Sequence, residues 1–324
     1  MGIKNLLKFL SSYDGIVNIL ENDNDYKKEK VAIDISIVLY KVIIAIRNSG
    51  ADLTNKSGDV VSHLLGLFNK TIYLLKKNII PIYVFDGGIP DMKKKVLDDR
   101  REMKKRAWEK MEQCNDEKER IKYFKRTVSI SNKQIKECKK LLDLMGVPYI
   151  QAPEEADSQC AQLVKDGIAD SVFTEDMDIL TFGSSKIYRN LDSYKKNTIE
   201  IKLDDILMKI NLNYDQFIEL CLLFGCDYWD GLRDISPYVV YDTYIKYKNI
   251  PETIDHFKNI GYSVPSYNNY EKYKNYFINA PYNIVDNIEL KKADTNLLMD
   301  FLVNKCSLVK SKIINKIEFL DNLN

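Results

Sequence analysis

Apolar residues at positions 3, 6, 7 and 10 recur at helical spacing and predict an amphipathic helix near the start of the chain. Val31-Ala32-Ile33 followed by Asp34 predicts a short buried strand closed by an acid. Ile35, Val38, Leu39, Val42, Ile43 and Ile46 then predict a buried helix over 35–48. A polar loop at 49–59 leads to a second helix from Val60 to Asn78, and Pro81 to Phe85 reads as a second strand, closed by Asp86, Gly87 and Gly88. The helix Ser131–Met145 carries Ile135, Cys138, Leu141, Leu142 and Met145 on one face and stops at Gly146. Further on come a strand at 147–150, a helix at 154–166, strands at 170–174 and 186–191, and a polar hairpin at 194–202. An apolar helix from Tyr214 to Phe224 ends at Gly225, a turn and helix fill 229–247, and the tail 295–323 is amphipathic. Strand, loop and helix in alternation predict an α/β fold: a mixed, mostly parallel central sheet flanked by helices.

Acids recur where those strands end. Asp34 and Asp86 close strands, Asp227 follows an apolar helix, and Glu155, Asp157, Asp176 and Asp178 cluster within one stretch. In open α/β sheets ligands bind at the carboxyl ends of strands, and several acids placed there favour one shared site over separate helix caps. Seven converging carboxylates repel one another unless cations lie between them. Oxygen donors alone point to Mg²⁺ or Mn²⁺. Glu155 and Asp157, two apart, point oppositely on a regular helix, so both face one cleft only if Glu155 lies at an irregular helix start. Asp176 and Asp178 share a face if the chain stays extended between them.

Composition changes this picture in two places. The formal net charge is +1, yet Lys93, Lys94, Lys95, Arg100, Arg101, Lys104, Lys105 and Arg106 crowd one short interval with acids among them. That interval is either a solvated, salt-bridged helical pair or a basic clamp for phosphate. The six cysteines form no zinc spacing and read as free buried thiols in a reducing compartment. His63 has no second ligand at metal spacing and reads as structural. With no long apolar stretch at the start and no run of membrane length, the expectation is a soluble intracellular protein with no membrane partner. Tyr40 is either a core filler or a platform for a base. Tyrosines 262, 267, 270, 273, 276 and 282, with Lys272 and Lys274 among them, suit helical packing or base stacking. Gly2 permits close backbone approach near the terminus.

Five stretches carry a resemblance. They are Val31-Ala32-Ile33-Asp34-Ile35-Ser36, Tyr83-Val84-Phe85-Asp86-Gly87, Ala152-Pro153-Glu154-Glu155-Ala156-Asp157, Thr174 through Gly183, and Leu223-Phe224-Gly225-Cys226-Asp227-Tyr228. In this order and spacing, from residue 1 to about 250, the chain resembles the flap endonucleases, structure-specific 5′ nucleases of DNA replication, repair and recombination.

The resemblance implies a PIN-like 5′ nuclease core over 1–210 with a helical arch at about 90–135. It further implies a helix–two-turn–helix segment at 211–250 that grips duplex DNA, and a C-terminal helical segment at 251–324 packed on the core. It makes Asp34, Asp86, Glu155, Asp157, Asp176, Asp178 and Asp227 the ligands of two Mg²⁺ ions, for which Mn²⁺ substitutes, and Lys93 and Arg100 the catalytic basic pair. Gly2, Tyr40, Arg101, Lys104 and Gly231 become DNA contacts. The implied partner of this monomer is branched or flapped DNA, including RNA-primed 5′ ends, in the nucleus or at a cytoplasmic viral replication site. The alternatives are a nuclease preferring junctions, gaps or 5′ ends, and an inactive DNA-binding recombination protein. Three departures stand out. Asp157 replaces the usual glutamate and reaches one methylene less. Asp234-Ile235-Ser236-Pro237-Tyr238 replaces Gly-Ile-Gly-Pro-Lys, weakening the grip on duplex phosphate and on a K⁺ ion. The tail has no clear sliding-clamp peptide, Lys316-Ile317-Glu318-Phe319-Leu320 being a poor approximation.

Overall fold

The structure, a computed structural model, describes residues 2–21, 26–191 and 196–323. Its first half contains α1 (Leu6–Leu10), β1 (Asn18–Leu20), β2 (Glu29–Asp34), α2 (Ile35–Ile46), α3 (Ser62–Lys76), β3 (Ile79–Phe85), α4 (Lys94–Gln113), α5 (Glu117–Arg126), α6 (Asn132–Met145) and β4 (Tyr149–Gln151). Next come α7 (Ala156–Lys165), β5 (Ser171–Phe173), α8 (Asp178–Thr181), β6 (Lys186–Arg189), β7 (Thr198–Lys202) and α9 (Leu203–Lys209). The last part is helical: α10 (Tyr214–Phe224), α11 (Pro237–Tyr247), α12 (Ile250–Asn259), α13 (Tyr270–Asn279), α14 (Thr295–Asp300) and α15 (Lys310–Asp321).

These elements fall into two compact units. The first comprises Met1–Asn24, Asp86–Val96 and Ala152–Val285; the second comprises Asp25–Phe85, Leu97–Gln151 and Asp286–Asn324. In the first unit the strands lie in the order β1-β7-β6-β5. β5 runs parallel to β6, and β7 is antiparallel to both β6 and β1. In the second unit β2, β3 and β4 are all parallel, with Val31 opposite Pro81 and Tyr83 opposite Tyr149. The mixed, mostly parallel α/β arrangement expected from the strand–helix alternation is therefore present.

Each unit has its own core. In the second, Val31, Ala32 and Ile33 of β2, Leu67 and Phe68 of α3, Val84 and Phe85 of β3, and Leu141 and Leu142 of α6 are fully or nearly fully buried. Removing such apolar surface from water is worth about 25 cal/mol per Å². In the first, Phe9 of α1 lies edge-on to Phe224 of α10 at 5.2 Å between ring centroids and tilted to Tyr241 of α11 at 5.2 Å. Capping boxes start two helices: Ser131 with Gln134 at α6, and Asn213 with Gln216 at α10. Each such cap contributes roughly 1 kcal/mol.

Most expected elements appear within a residue or two. Glu155 stands just outside α7 with extended dihedrals (φ −78°, ψ 141°), the irregular start that its spacing from Asp157 required. The stretch after β5 corrects an expectation. It is not extended: Met177 is already helical and Asp178 begins α8. β1, α9 and α12 were not anticipated. The hairpin expected at 194–202 lies partly outside the described residues, and β7 forms its described part. Among the described residues no helix is long and apolar enough to cross a membrane.

Candidate metal centre

The centre lies in the first unit, and its carboxylates come from four short segments. The turn after β5 is the innermost. The Thr174 hydroxyl accepts from the Asp176 amide at 2.9 Å, and Asp176 Oδ1 accepts from the Asp178 amide at 3.2 Å. Thr181 Oγ1 donates to the Asp178 carbonyl at 2.6 Å, and the Tyr214 hydroxyl donates to the Thr181 carbonyl at 2.6 Å. Two carboxylates two residues apart thus meet because Asp176 turns back to cap the start of α8.

Gly2 closes one side. It holds φ +82°, and a Cβ there would collide with the Asp176 carboxylate and sit 2.9 Å from Asp178 Oδ1. The neighbouring segment is tied down by the Lys4 amide donating to the Gly225 carbonyl at 3.0 Å. A side chain at position 2 would both strain the backbone and displace an acid.

The Ala152–Glu155 segment supplies the opposite side. The Gly87 and Gly88 amides donate to the carbonyls of Glu154 and Pro153 at 2.6 and 2.9 Å. A Cβ on Gly87 would overlap the Ala152 and Pro153 carbonyls, so this approach requires glycine. Asp86 Oδ1 accepts from the Ala156 amide at 3.0 Å, at the first turn of α7. Asp157 follows in that turn.

Lys93, at the end of the short helical turn before α4, lies among these acids. Its ammonium is ion-paired with Glu155 Oε1 and stands 3.8 Å from Asp227 Oδ2. Both the Tyr228 and Tyr276 hydroxyls donate to Glu155 Oε2, the latter at 3.3 Å. The single Tyr276 hydroxyl hydrogen is shared with Glu154 Oε2, 2.9 Å away. The Lys93 ammonium further lies 5.8 Å from the centre of the Tyr228 ring.

The electrostatics follow from burial. Asp178 is 4% exposed, and its Oδ1 is buried without a hydrogen-bond partner among the described residues. Burial, with the nearby charges of Asp176, Asp227 and Glu155, pushes its carboxyl well above the usual range. Burial also raises Asp176, with Asp227 adding to it. Burial alone would lower Lys93, but Glu155, Asp157 and Asp227 outweigh it and hold the ammonium above its ordinary value. Burial, then Glu155, raises the Tyr228 phenol, which stays protonated as a donor.

Among the described residues no three Asp, Glu, His or Cys side chains close on one point tightly enough to ligate an ion as they stand. Lys93 places one cation among the carboxylates. The donor set, oxygen-only and over-charged with an orphaned Asp178 oxygen, fits a hard divalent ion such as Mg²⁺ once the ammonium yields.

The other expected residues are placed as follows. Asp34 ends β2 in the second unit, where its Oδ1 accepts from the Ser36 amide at 2.7 Å and caps α2. Tyr40, on α2, is 39% exposed, which removes the core-filling alternative. Arg100, Arg101 and Lys104 lie on α4. Arg101 pairs with Asp98 at 2.9 Å, and burial followed by Arg47 lowers Lys104. α5, the next helix, is held by Arg47, which donates to the Phe124 carbonyl at 2.9 Å and stacks over the Phe124 ring at 4.1 Å. Gly231 has φ +57°, and a Cβ there would lie 2.5 Å from the Leu222 and Leu223 carbonyls, so backbone packing accounts for it. Sequence reasoning gave no site role to Tyr228 and gave Tyr276 only packing or base stacking, not contact with the acids. Tyr228 adjoins an acid in a recognised stretch, but Tyr276 stood in a tyrosine-rich run with nothing to distinguish it.

A partly buried cluster of carboxylates beside strand ends defines the class: an α/β protein with an acidic centre suited to divalent cations. The XPG N-terminal domain matches residues 1–107 and the XPG I-region matches residues 146–227. Flap endonuclease 1 of Leishmania braziliensis is 40% identical over 319 residues, covering 94% of this chain and 80% of its own. The chain belongs to the flap endonuclease family. Flap endonuclease-1 from Methanococcus jannaschii superposes with a TM-score of 0.72 at 29% identity, covering 97% of this chain and 98% of that one. The Holliday junction-resolving enzyme GEN1, solved with product DNA and Mg²⁺, shares the fold at 18% identity and a TM-score of 0.66, over 99% of this chain and 80% of that one.

Proposed function

We propose that this structure-specific 5′ nuclease cuts DNA at the base of 5′ flaps with a pair of divalent cations held by its carboxylates. The observation that carries the reading is a half-buried cation, Lys93, already set among Glu155, Asp227 and the closely placed pair Asp176 and Asp178. Glu155 and Asp157, with Asp86, would hold one ion; Asp176, Asp178 and Asp227 would hold the other. Asp34 is the further ligand that the family resemblance implies. Ions held there would supply an activated water and offset charge on the attacking and leaving oxygens.

The protein's own residues do the rest. Lys93, released from Glu155, is poised to meet charge developing on the scissile phosphate, and Arg100 is its partner in the resemblance. The buried turn at Asp176 and Asp178 excludes water. Tyr40 offers an exposed ring for stacking on a base near the cut. The products are a 5′-phosphate and a 3′-hydroxyl. The nuclease core of 1–210, with α4 and α5 as its arch, the duplex-binding segment of 211–250 and the helical segment of 251–324 act as a monomer on flapped or branched DNA, RNA-primed 5′ ends included.

A second reading rests on one feature. α11 begins Pro237, Tyr238 and Val239 after Ser236, and Tyr238 and Val239 are exposed where the family has a lysine. A weaker grip on duplex phosphate shifts preference toward junctions, gaps or 5′ ends. The clamp peptide receives no support from the tail: Ile317 and Leu320 of α15 are buried.

Cleavage of a labelled 5′ flap, a nicked duplex, a blunt duplex and a four-way junction with Mg²⁺ decides among these. Cutting at the flap base, lost in Asp178→Ala, supports the proposal. Preference for the junction or the nick moves it to the second reading. Binding without cutting, in Mg²⁺ and Mn²⁺ alike, overturns it and leaves an inactive DNA binder.

A further inference from the structure

Glu155 is held from two sides by different chemistry. Its Oε1 faces the Lys93 ammonium, and its Oε2 accepts from two phenols, Tyr228 and Tyr276. Tyr276 reaches this carboxylate from α13, 121 residues away in the chain, and both tyrosines lie in the first unit. We infer that Tyr276 is a positioning residue for the nuclease centre. With Tyr228 it fastens Glu155 Oε2, so that the carboxylate presents Oε1 alone to a cation.

Three observations carry this. The Tyr276 ring is already committed, meeting Tyr228 at 5.4 Å and 70° and Phe182 at 6.0 Å and 77°, which leaves it unsuited to stacking on a base. Its hydroxyl is directed at acids rather than at solvent, 2.9 Å from Glu154 Oε2 and 3.3 Å from Glu155 Oε2. Glu155 itself is only 6% exposed, so water contributes little to orienting it. A carboxylate ligand that can rotate offers one or two oxygens in turn and loses affinity to that freedom. Hydrogen bonds from outside the coordination sphere fix ligand orientation and tune affinity. Glu154 has a place in this arrangement as well. It takes the shorter of the two Tyr276 hydrogen bonds and holds the phenol where it bridges both acids.

The inference rests on the metal-nuclease reading, and its test separates the two. Tyr276→Phe keeps the ring contacts and removes only the hydroxyl. Mn²⁺ binding to the DNA-free protein is followed by electron paramagnetic resonance, and flap cleavage is titrated with Mg²⁺. Removing a hydrogen bond that orients a metal-ligating group weakens metal binding roughly 10–100-fold. The expected result is that loss of Mn²⁺ affinity, an equal rise in the Mg²⁺ needed for half-maximal cleavage, an unchanged KM for DNA, and recovery at high Mg²⁺. Wild-type Mn²⁺ affinity in the variant overturns the inference, as does a raised KM for DNA with metal affinity intact, the mark of a base-stacking role. If the wild type neither binds Mn²⁺ nor cuts, the metal-nuclease reading fails and the inference with it. A thermal unfolding midpoint like that of the wild type shows that the variant is folded.

Discussion

Lys93 and Glu155 form an ion pair whose side chains are 17% and 8% exposed, and Glu155 is a residue through which the family resemblance holds metal. On the proposed reading, one ammonium occupies ground that a divalent ion would also need. In the metal-free protein it offsets the repulsion among buried acids, which at an effective dielectric of 20 amounts to about 4 kcal/mol per pair at 4 Å.

Removing that ammonium has opposite effects on binding and on catalysis. Lys93→Met leaves Glu155 buried without its counter-charge, and the metal-free protein loses roughly 1–3 kcal/mol of stability, below the full cost of breaking a wholly buried pair. Mg²⁺ restores most of it, because the ion no longer competes with an ammonium. Cleavage at saturating Mg²⁺ falls about 10²–10³-fold, the usual cost of removing one group that meets transition-state charge. Thermal melts with and without Mg²⁺, beside single-turnover cleavage, check all three outcomes.

Asp178 separates stability from activity. Its Oδ1 is buried without a hydrogen-bond partner among the described residues, and its carboxyl is raised well above the unfolded value, mainly by burial. A group with a raised folded pKa contributes stability that is full below its unfolded pKa of about 3.9 and is lost as pH rises through the folded pKa. The metal-free protein therefore loses stability from Asp176 and Asp178 as pH rises above about 4 through their folded values. Asp178→Asn removes the buried charge, flattens that part of the pH profile and raises the unfolding midpoint at neutral pH without Mg²⁺, while cleavage is abolished. A variant less stable than the wild type at neutral pH would contradict this.

Position 2 has little tolerance for a side chain. At φ +82°, Gly2→Ala brings backbone strain of about 1–3 kcal/mol and pushes a methyl group against Asp176. The expected result is weaker Mg²⁺ binding and slower cleavage, with the core folded. Calorimetric Mg²⁺ titration and circular dichroism read the two parts separately.

The segment over 211–250, proposed to bind duplex DNA, invites a gain of function. Ser236→Gly with Tyr238→Lys restores two of the three positions at which the segment before and at the start of α11 departs from the family pattern. One added phosphate contact steepens the salt dependence of duplex binding by about 1 in the log–log slope. Flap binding measured between low and moderate salt shows this. A small stability loss accompanies it, because the Tyr238 ring leaves its 5.7 Å contact with Phe9.

Local pattern was enough for much of this protein. The apolar run before Asp34, the run before Asp86 and the one-sided helices α6 and α10 are legible because secondary structure at these places obeys periods of two and 3.6 residues. The acids of the centre were legible for a related reason: a charged residue at the end of a buried strand is costly unless it serves a site. Tertiary structure decided the rest. The spacing of Asp176 and Asp178 is the same in an extended segment as in a helix start, and only the Asp178 amide's hydrogen bond to Asp176 sets the turn. β1 has three residues and no usable period, and it exists because β7 lies beside it. Lys93 and Tyr276 meet Glu155 from 62 and 121 residues away, and nothing local to either one distinguishes it from its lysine and tyrosine neighbours. A contact over such a separation is fixed only when packing has brought the segments together.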